Sequence, residues 1–331
     1  MSEEVSEVTT SDVLVLIGPT AVGKTQAAMD LQDRLGGGDR VQLISVDSAM
    51  IYRGLDIGSA KPSFAELQTY PHALIDIKDP SEPYSVAEFV KDADAAVRAA
   101  RALGQLPILV GGTMLYAKSF IEGLADLPSA DAQMRASLAQ EFTDRGGPAL
   151  HAELAAVDPQ AAANIEPANS QRLLRAIEVV RLTGRPISAL WAENKGQTAA
   201  QRLGSNIRTM SLETEDRALL HNRIEARFDE MLAAGLLDEV QGLCDRGDLH
   251  VDLPAIRAVG YRQAWLHLQG VLDYDQFRAD ALTATRRLAK RQITWLRQWS
   301  QIERFALPTH PNALAEVVNQ MANRLQPAEH R

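Results

Sequence analysis

Cysteine is nearly absent. Cys244 stands alone in 331 residues, which excludes an intrachain disulfide framework and a cysteine-rich zinc site and suits a reducing compartment. Excess positive charge is also missing. Arg and Lys number 34 against 43 Asp and Glu, a net charge of −9, so the surface as a whole does not attract nucleic acid, although a local basic groove stays compatible. No apolar run approaches the roughly 20 residues of a membrane helix. The opening MSEEVSEVTTSD is acidic and polar where a secretory leader is basic and then apolar. These absences lead to the expectation of a cytoplasmic chain with no membrane part, monomeric by default, whose residues 1–11 form a disordered tail. Internal repeats and low-complexity blocks are absent too.

What is present is a full complement of core-forming residues, 46% hydrophobic, arranged in two styles. The first third alternates strand and helix patterns. VLVLIGP (13–19) is a buried parallel strand, followed by a helix from Gly23 to about Leu35. VQLISVDS (41–48) and HALIDI (72–77) read as further strands. A helix over 85–104 carries a capping box, Ser85 with Glu88, and stops at Gly104; PILVGGT (107–113) is the next strand. This spacing predicts an α/β fold, a parallel sheet flanked by helices. Residues 128–196 lack a convincing strand and break at Gly146-Gly147-Pro148, Asp158-Pro159, Glu166-Pro167 and Gly184-Arg185-Pro186, the pattern of an all-helical insertion. IRTMSLET (207–214) returns to the sheet, and from Glu215 onward the chain reads as helical, with long stretches at 215–234 and 273–300. The expected division is a core of 12–127 with 197–331, and an insertion of 128–196.

The most specific motif is Gly18-Pro19-Thr20-Ala21-Val22-Gly23-Lys24-Thr25, which fits G-x-x-x-x-G-K-[ST] between a strand and a helix. Backbone N–H groups and a helix N-terminus face an anion in such a P-loop, Lys24 adds a compact positive charge, and the Thr25 hydroxyl suits Mg²⁺. The fold is therefore expected to be P-loop NTPase-like. A nucleotide hydrolase places an acid at the end of a later buried strand, yet ILVGGT ends in Gly111-Gly112-Thr113 and no carboxylate follows until Glu122. The acid at a strand end is Asp47. It reads equally as a base for an incoming nucleophile and as a cap for the next helix. Thr113 has the same two readings, a hydroxyl donor at the site or a helix cap.

Late in this acidic chain, ATRRLAKRQITWLRQW (284–299) carries five Arg or Lys and no acid between Asp280 and Glu303. At helical spacing Thr285, Leu288, Gln292, Trp295 and Trp299 share one face, and the cations spread over the rest. Such a surface suits a phosphate backbone with exposed bases, or it is a solvated face over core tryptophans. Gln171-Arg172-Leu173-Leu174-Arg175 and Arg257-Ala258-Val259-Gly260-Tyr261-Arg262 add smaller basic clusters, and Arg217, Arg223 and Arg227 another.

Together these segments resemble the bacterial tRNA dimethylallyltransferases, the tRNA isopentenyltransferase family. The matching stretches are GPTAVGKT (18–25), DSAMIYRGLDIGSAKP (47–62), LVGGTMLY (109–116), LPSAD (127–131), QRLLRAIEV (171–179), RIEARFDEML (223–232), GDLHVDLPAIRAVGYRQ (247–263) and LAKRQITWLR (288–297). The resemblance implies a prenyltransferase that moves a dimethylallyl group from dimethylallyl diphosphate to the N6 amine of the adenine 3′ of the anticodon in tRNA, with Mg²⁺, releasing pyrophosphate. It implies Asp47 as the base, Thr113 near the reacting centre, and Lys24 with Arg227 (Arg223 less so) at the diphosphate, which residues 18–25 cradle and Thr25 links to the metal. Asp47, Ser48, Ala49 and Met50 are expected to meet the flipped base. Arg135, Gln171–Arg175, Arg257–Arg262 and Lys290-Arg291-Gln292-Ile293-Thr294-Trp295-Leu296-Arg297 are expected to grip the anticodon arm. Many members carry Gln where Met50 stands and Ser where Val22 stands; some eukaryotic members append a zinc finger, which one cysteine excludes. Competing readings are an adenylate isopentenyltransferase, a small-molecule P-loop kinase, and an RNA-binding protein with a degenerate loop.

Overall fold

The computed structural model describes residues 12–125, 127–128, 131–193, 196–214, 216–310 and 312–325; the expected tail over 1–11, residues 129–130 of LPSAD and the helix start at Glu215 lie outside the described residues. The chain runs β1 (Asp12–Ile17), α1 (Lys24–Arg34), β2 (Val41–Val46), α2 (Phe64–Thr69), β3 (His72–Ala73), α3 (Val86–Ala102), β4 (Leu106–Gly111) and α4 (Met114–Glu122). Then come α5 (Ala132–Val157), α6 (Pro159–Ala162), α7 (Ser170–Thr183), α8 (Ile187–Glu193) and α9 (Ala199–Leu203). The remainder is β5 (Asn206–Glu213), α10 (Arg217–Ala233), α11 (Leu236–Asp245), α12 (Tyr261–Leu268), α13 (Tyr274–Gln298), β6 (Glu303–Ala306) and α14 (Ala313–Leu325).

The strands form one parallel sheet in the order β3-β2-β4-β1-β5-β6. This is the P-loop NTPase-like α/β architecture expected from the spacing. Alternate residues of the inner strands, Leu14 and Leu16, Leu43, Ile108 and Val110, Met210 and Leu212, enter one apolar cluster with α1 and α14. That two-residue period is the signature of a strand whose face is covered by helices. Helix α3 lies against β2 and β4. It starts at the expected capping box, in which the Ser85 hydroxyl takes the Glu88 amide and the Glu88 carboxylate takes the Ser85 amide.

Two expectations need correction. HALIDI does not run as a six-residue strand; β3 stops after His72–Ala73, because Leu74 and Asp76 have φ of 65° and 56°, a left-handed backbone that ends an extended chain. The region after Glu215 is not wholly helical either. β6 pairs with β5, Met210 opposite Glu303 and Leu212 opposite Phe305, and forms the sheet edge. Only Phe305 of its four residues is buried, so it offers almost no alternation to read.

The described residues divide into two compact units, one up to Ile121 and from Ala199 onward, the other Glu122–Thr198. The second has its own apolar core, with Leu138, Leu150, Leu154, Leu173, Ile177 and Ile187 at its centre. No strand occurs among its described residues. Gly146, with φ 77° and ψ 159°, leaves the helical region and divides α5 into two helical stretches at the expected Gly146-Gly147-Pro148 break. Buried Asp158 caps α6 through the Ala161 amide and also takes the amide and hydroxyl of Ser188.

Candidate active site

β1 feeds directly into the loop Gly18–Gly23. A Cβ at Gly18 would lie 2.3 Å from the Leu212 carbonyl oxygen of β5, so only glycine lets the two chains meet there. Ala21 and Gly23 have φ of 61° and 102°, the kind of backbone that turns successive amides to one side. Gly23 begins α1 without a side-chain cap. The first-turn amides and the positive helix end therefore remain available to an anion.

A cavity of about 100 Å³ opens beside this loop, lined by Thr20, Lys24 and Thr25, by Ser45, Asp47 and Met50, by Ser59, Pro62 and His72, by Val110, Gly111 and Gly112, and by Arg227, Leu288 and Gln292. Lys24 donates to the Pro19 carbonyl (2.7 Å). Burial, reinforced by Arg227 and opposed by Asp47, pulls its pKa down to about 7. Burial also lowers the pKa of Arg227, against the pull of Asp47 and Glu230. Two cations and one carboxylate thus share the cavity, and the positive end has capacity for a polyanion. The two arginines of RIEAR separate. Arg227 lines this cavity, whereas Arg223 lies with Ala21, Val22, Gly23 and His310 in a second hollow.

Asp47 Oδ1 accepts from the amides of Ala49 (2.8 Å) and Met50 (3.3 Å). It closes the turn that follows β2, and no helix begins there. Its Oδ2 accepts no hydrogen bond among the described residues, so one oxygen shapes the chain while the other is open to a ligand. The Thr113 hydroxyl accepts from the Ser48 amide (3.1 Å) and sits 3.3 Å from the Ser48 hydroxyl. The Thr113 amide donates to Val46 and its carbonyl opens α4. Thr113 thus braces the turn next to Asp47 and is absent from the cavity lining.

Gln292 is the residue whose position differs most from expectation. Only 6% exposed, it accepts from the Thr20 amide (2.8 Å) through Oε1 and donates to the Gly112 carbonyl (2.8 Å) through Nε2. Helix α13 therefore pins the loop to the end of β4. A polar residue inside the apolar stripe Leu288–Trp295 was the available signal. His72 was missed as well. It lines the cavity, its Nδ1 bonds the Tyr70 carbonyl (2.7 Å), and its buried Nε2 has no partner among the described residues. Burial lowers its pKa; the neutral ring donates from Nδ1 and holds Nε2 as an acceptor.

Outside the cavity the basic segments divide by exposure. Lys290, Arg291, Thr294 and Arg297 are exposed on α13, as is Arg257 on the preceding loop, while Ile293, Ala258, Val259 and Arg262 are half-buried. Trp295 is half-buried with the Lys118 ammonium 5.7 Å from its ring centre, a cation–π contact that covers part of the ring. Leu296, Tyr261 and Leu173 are fully buried and Gly260 is buried; enclosed in this way they cannot form a gripping surface. In the second unit Gln171 and Arg172 are exposed and Leu174 is half-buried. Arg135 and Arg175 both bond the Glu178 carboxylate, at 3.0 and 2.7 Å, and Arg175 also donates to Pro128. Glu178 is buried, so these two arginines compensate a desolvated charge.

Comparisons with known proteins point to one family. The family model described as IPP transferase matches residues 50–299. A tRNA dimethylallyltransferase of Chromohalobacter salexigens is 55% identical over 87% of this chain and 90% of its own length. One of Halorhodospira halophila is 54% identical over 89% and 93%. Among solved structures, the tRNA isopentenylpyrophosphate transferase of Bacillus halodurans aligns with a TM-score of 0.66 and 36% identity, covering 95% and 97% of the two chains. A eukaryotic dimethylallyltransferase acting on tRNA shares the fold, with a TM-score of 0.74 at 22% identity over 97% of this chain and 81% of its own. A family model matching most of the chain, and relatives 55% and 54% identical along most of its length, show that this chain belongs to the IPP transferase family.

Proposed function

We propose that this chain transfers the dimethylallyl group of dimethylallyl diphosphate to the exocyclic N6 amine of the adenine 3′ of the anticodon in tRNA. The observation that carries the reading is one cavity with a cationic end, made by the Gly18–Thr25 loop, Lys24 and Arg227, and a carboxylate, Asp47, with an open oxygen. β4 ends at Gly111 and is followed by Gly112, where a hydrolase would place its acid.

In the transfer the allylic C1–O bond breaks, the N6–C1 bond forms, one N6 proton passes to Asp47, and pyrophosphate leaves with the bonding electrons. The adenine amine is a weak nucleophile because its lone pair delocalises into the ring, so a carboxylate that accepts its proton during attack lowers the barrier. Loop amides, Lys24 and Arg227 stabilise the charge growing on the leaving diphosphate. Met50, Pro62, Val110 and Leu288 offer the uncharged tail an apolar wall. The hard hydroxyl oxygen of Thr25, beside a diphosphate, fits Mg²⁺, which would neutralise leaving-group charge. Among the described residues no cluster of three or more His, Cys, Asp or Glu could hold a metal without substrate.

The adenine must leave its stack to reach the cavity. Exposed Arg257, Lys290, Arg291 and Arg297 in the first unit, and Arg172 in the 128–196 insertion, suit the anticodon arm's phosphates. No described helix is long and apolar enough to cross a membrane, which suits a cytoplasmic enzyme, and the monomer is the working form. The test supplies dimethylallyl diphosphate and Mg²⁺ with tRNA carrying the target adenine, with AMP, or with ATP alone in place of the donor. Prenylated tRNA only is expected. Comparable prenylation of AMP would replace tRNA by the free nucleotide, and ATP turnover would replace alkyl transfer by phosphoryl transfer.

A further inference from the structure

Residues 55–62 form one side of the cavity through Ser59 and Pro62, and no helix or strand holds them. Within the segment, Lys61 bonds Asp56 and the Ser59 hydroxyl donates to the Leu55 carbonyl, and Lys61 also reaches Asp76 and the Tyr52 carbonyl nearby in the chain. The tie to a distant part of the chain is different in kind. Glu239, on α11, accepts from the amides of Asp56 (2.9 Å) and Ile57 (2.7 Å) with Oε2, and from Gly58 (3.2 Å) with Oε1. Tyr261, at the start of α12, donates its hydroxyl to Glu239 Oε1 (2.6 Å) and accepts from the Ser59 amide (3.2 Å).

Four consecutive amides are thus captured by two side chains. Successive N–H groups turned to one carboxylate make an anion nest, and their bonds are charge-assisted. The fit leaves no slack. A Cβ at Gly58 would come within 2.7 Å of the Tyr261 ring and 2.8 Å of Leu236. Burial and the adjacent Glu239 push the Tyr261 pKa up, so the phenol stays a donor. The ring is fully buried and cannot meet an RNA, although it sits in a basic stretch.

We propose that Glu239 and Tyr261 are positioning residues: they set the 55–62 segment so that Pro62, with Met50, Val110 and Leu288, closes on the hydrocarbon of the alkyl donor. The inference rests on the proposed reading of the cavity as an alkyl-diphosphate site. The cationic loop holds the diphosphate independently of this segment, so the clamp governs the affinity difference between dimethylallyl diphosphate and bare pyrophosphate.

The test uses Glu239→Gln, which keeps the shape but faces an amide NH₂ to backbone donors, and Tyr261→Phe, which keeps the ring. Calorimetry with Mg²⁺ measures binding of dimethylallyl diphosphate and of pyrophosphate to the full chain, and hydrogen exchange follows the amides of residues 56–59. Glu239→Gln is expected to weaken donor binding about tenfold, with pyrophosphate binding within about twofold. Exchange at 56–59 should accelerate about tenfold or more, and Tyr261→Phe should give a smaller change in the same direction. In steady state the KM for the donor should rise, with kcat and the KM for tRNA nearly unchanged. Equal losses for donor and pyrophosphate, unchanged exchange, or a rise confined to the KM for tRNA would each overturn the clamp. If the wild-type chain binds the donor no tighter than pyrophosphate, the cavity reading itself falls. Faster exchange in the variant would still establish the tie between Glu239 and the segment.

Discussion

At the residue scale, the proposed chemistry turns on the protonation of Lys24 and the open oxygen of Asp47. Lys24 has a folded pKa of about 7, well under its ordinary value. The buried ammonium is therefore a cost present below pH 7 and relieved as pH rises toward the unfolded value, since the unfolded chain binds more protons across that window. A bound diphosphate reverses the balance by pairing the charge. At pH 8 diphosphate binding should draw nearly one proton onto Lys24, and at pH 6 almost none, read by calorimetry in buffers of different ionisation enthalpy. In Lys24→Met the uptake at pH 8 should vanish; uptake that persists would move the proton to another group. Asp47→Ala should cut turnover by about a hundredfold or more while tRNA binding largely survives. Because Asp47 also closes the turn to Met50, Asp47→Asn is the gentler comparison: Oδ1 can still accept from both amides, yet turnover should fall nearly as far.

At the element scale, α13 does two jobs on two faces. Its inward Gln292 holds the Thr20 amide and the Gly112 carbonyl, and its outward Lys290, Arg291 and Arg297 face solvent. Gln292→Leu leaves a buried donor and acceptor unpaired and should cost about 2 kcal/mol or more of unfolding free energy in urea, with weaker pyrophosphate inhibition. Lys290→Ala with Arg291→Ala should leave that inhibition unchanged, weaken tRNA binding and flatten its dependence on salt; an unaltered salt slope would remove the pair from the RNA surface. The contrast also explains what the sequence made legible. β1, its loop, α1, α3 and β4 followed from apolar runs, glycines and a capping box, because local chemistry determines each. Gln292 and Tyr261 did not, since their stretches are dominated by cations whose exposure says nothing of the residues between them. The end of β3 was hidden because Leu74 and Asp76 adopt left-handed φ without being glycine. The Glu239 nest joins residues over 180 positions apart, which no local pattern records.

At the scale of the whole molecule, an acidic chain presents its cations locally, and the 122–198 unit folds around its own core. Glu178 is a buried carboxylate of that unit, paired with Arg135 and Arg175. Burial opposes its charge, but Arg175 and Arg135 prevail and hold its pKa below the usual glutamate value. The stabilisation is present at neutral pH and lost as pH falls through the folded pKa. Glu178→Ala removes the partner of Arg135 and Arg175, both of which reach solvent, and the acceptor of the Asp131 amide, and should cost about 1–2 kcal/mol; hydrogen exchange should rise across α5 and α7 and stay unchanged in the sheet. Exchange that rises equally in both would mean one cooperative unit. The strand order has a further consequence, for synthesis. β1 is flanked by β4 on one side and by β5 on the other, and β5 begins only at Asn206, after the entire helical unit. At about 5–20 residues per second, a ribosome leaves one edge of β1 without its partner for on the order of ten seconds. During that interval Leu14 and Leu16 lack Met210 and Leu212, and the open strand is a template for pairing with a neighbouring chain. The nascent protein is thus most exposed to aggregation while its second unit is being made, and the return of β5 closes that interval.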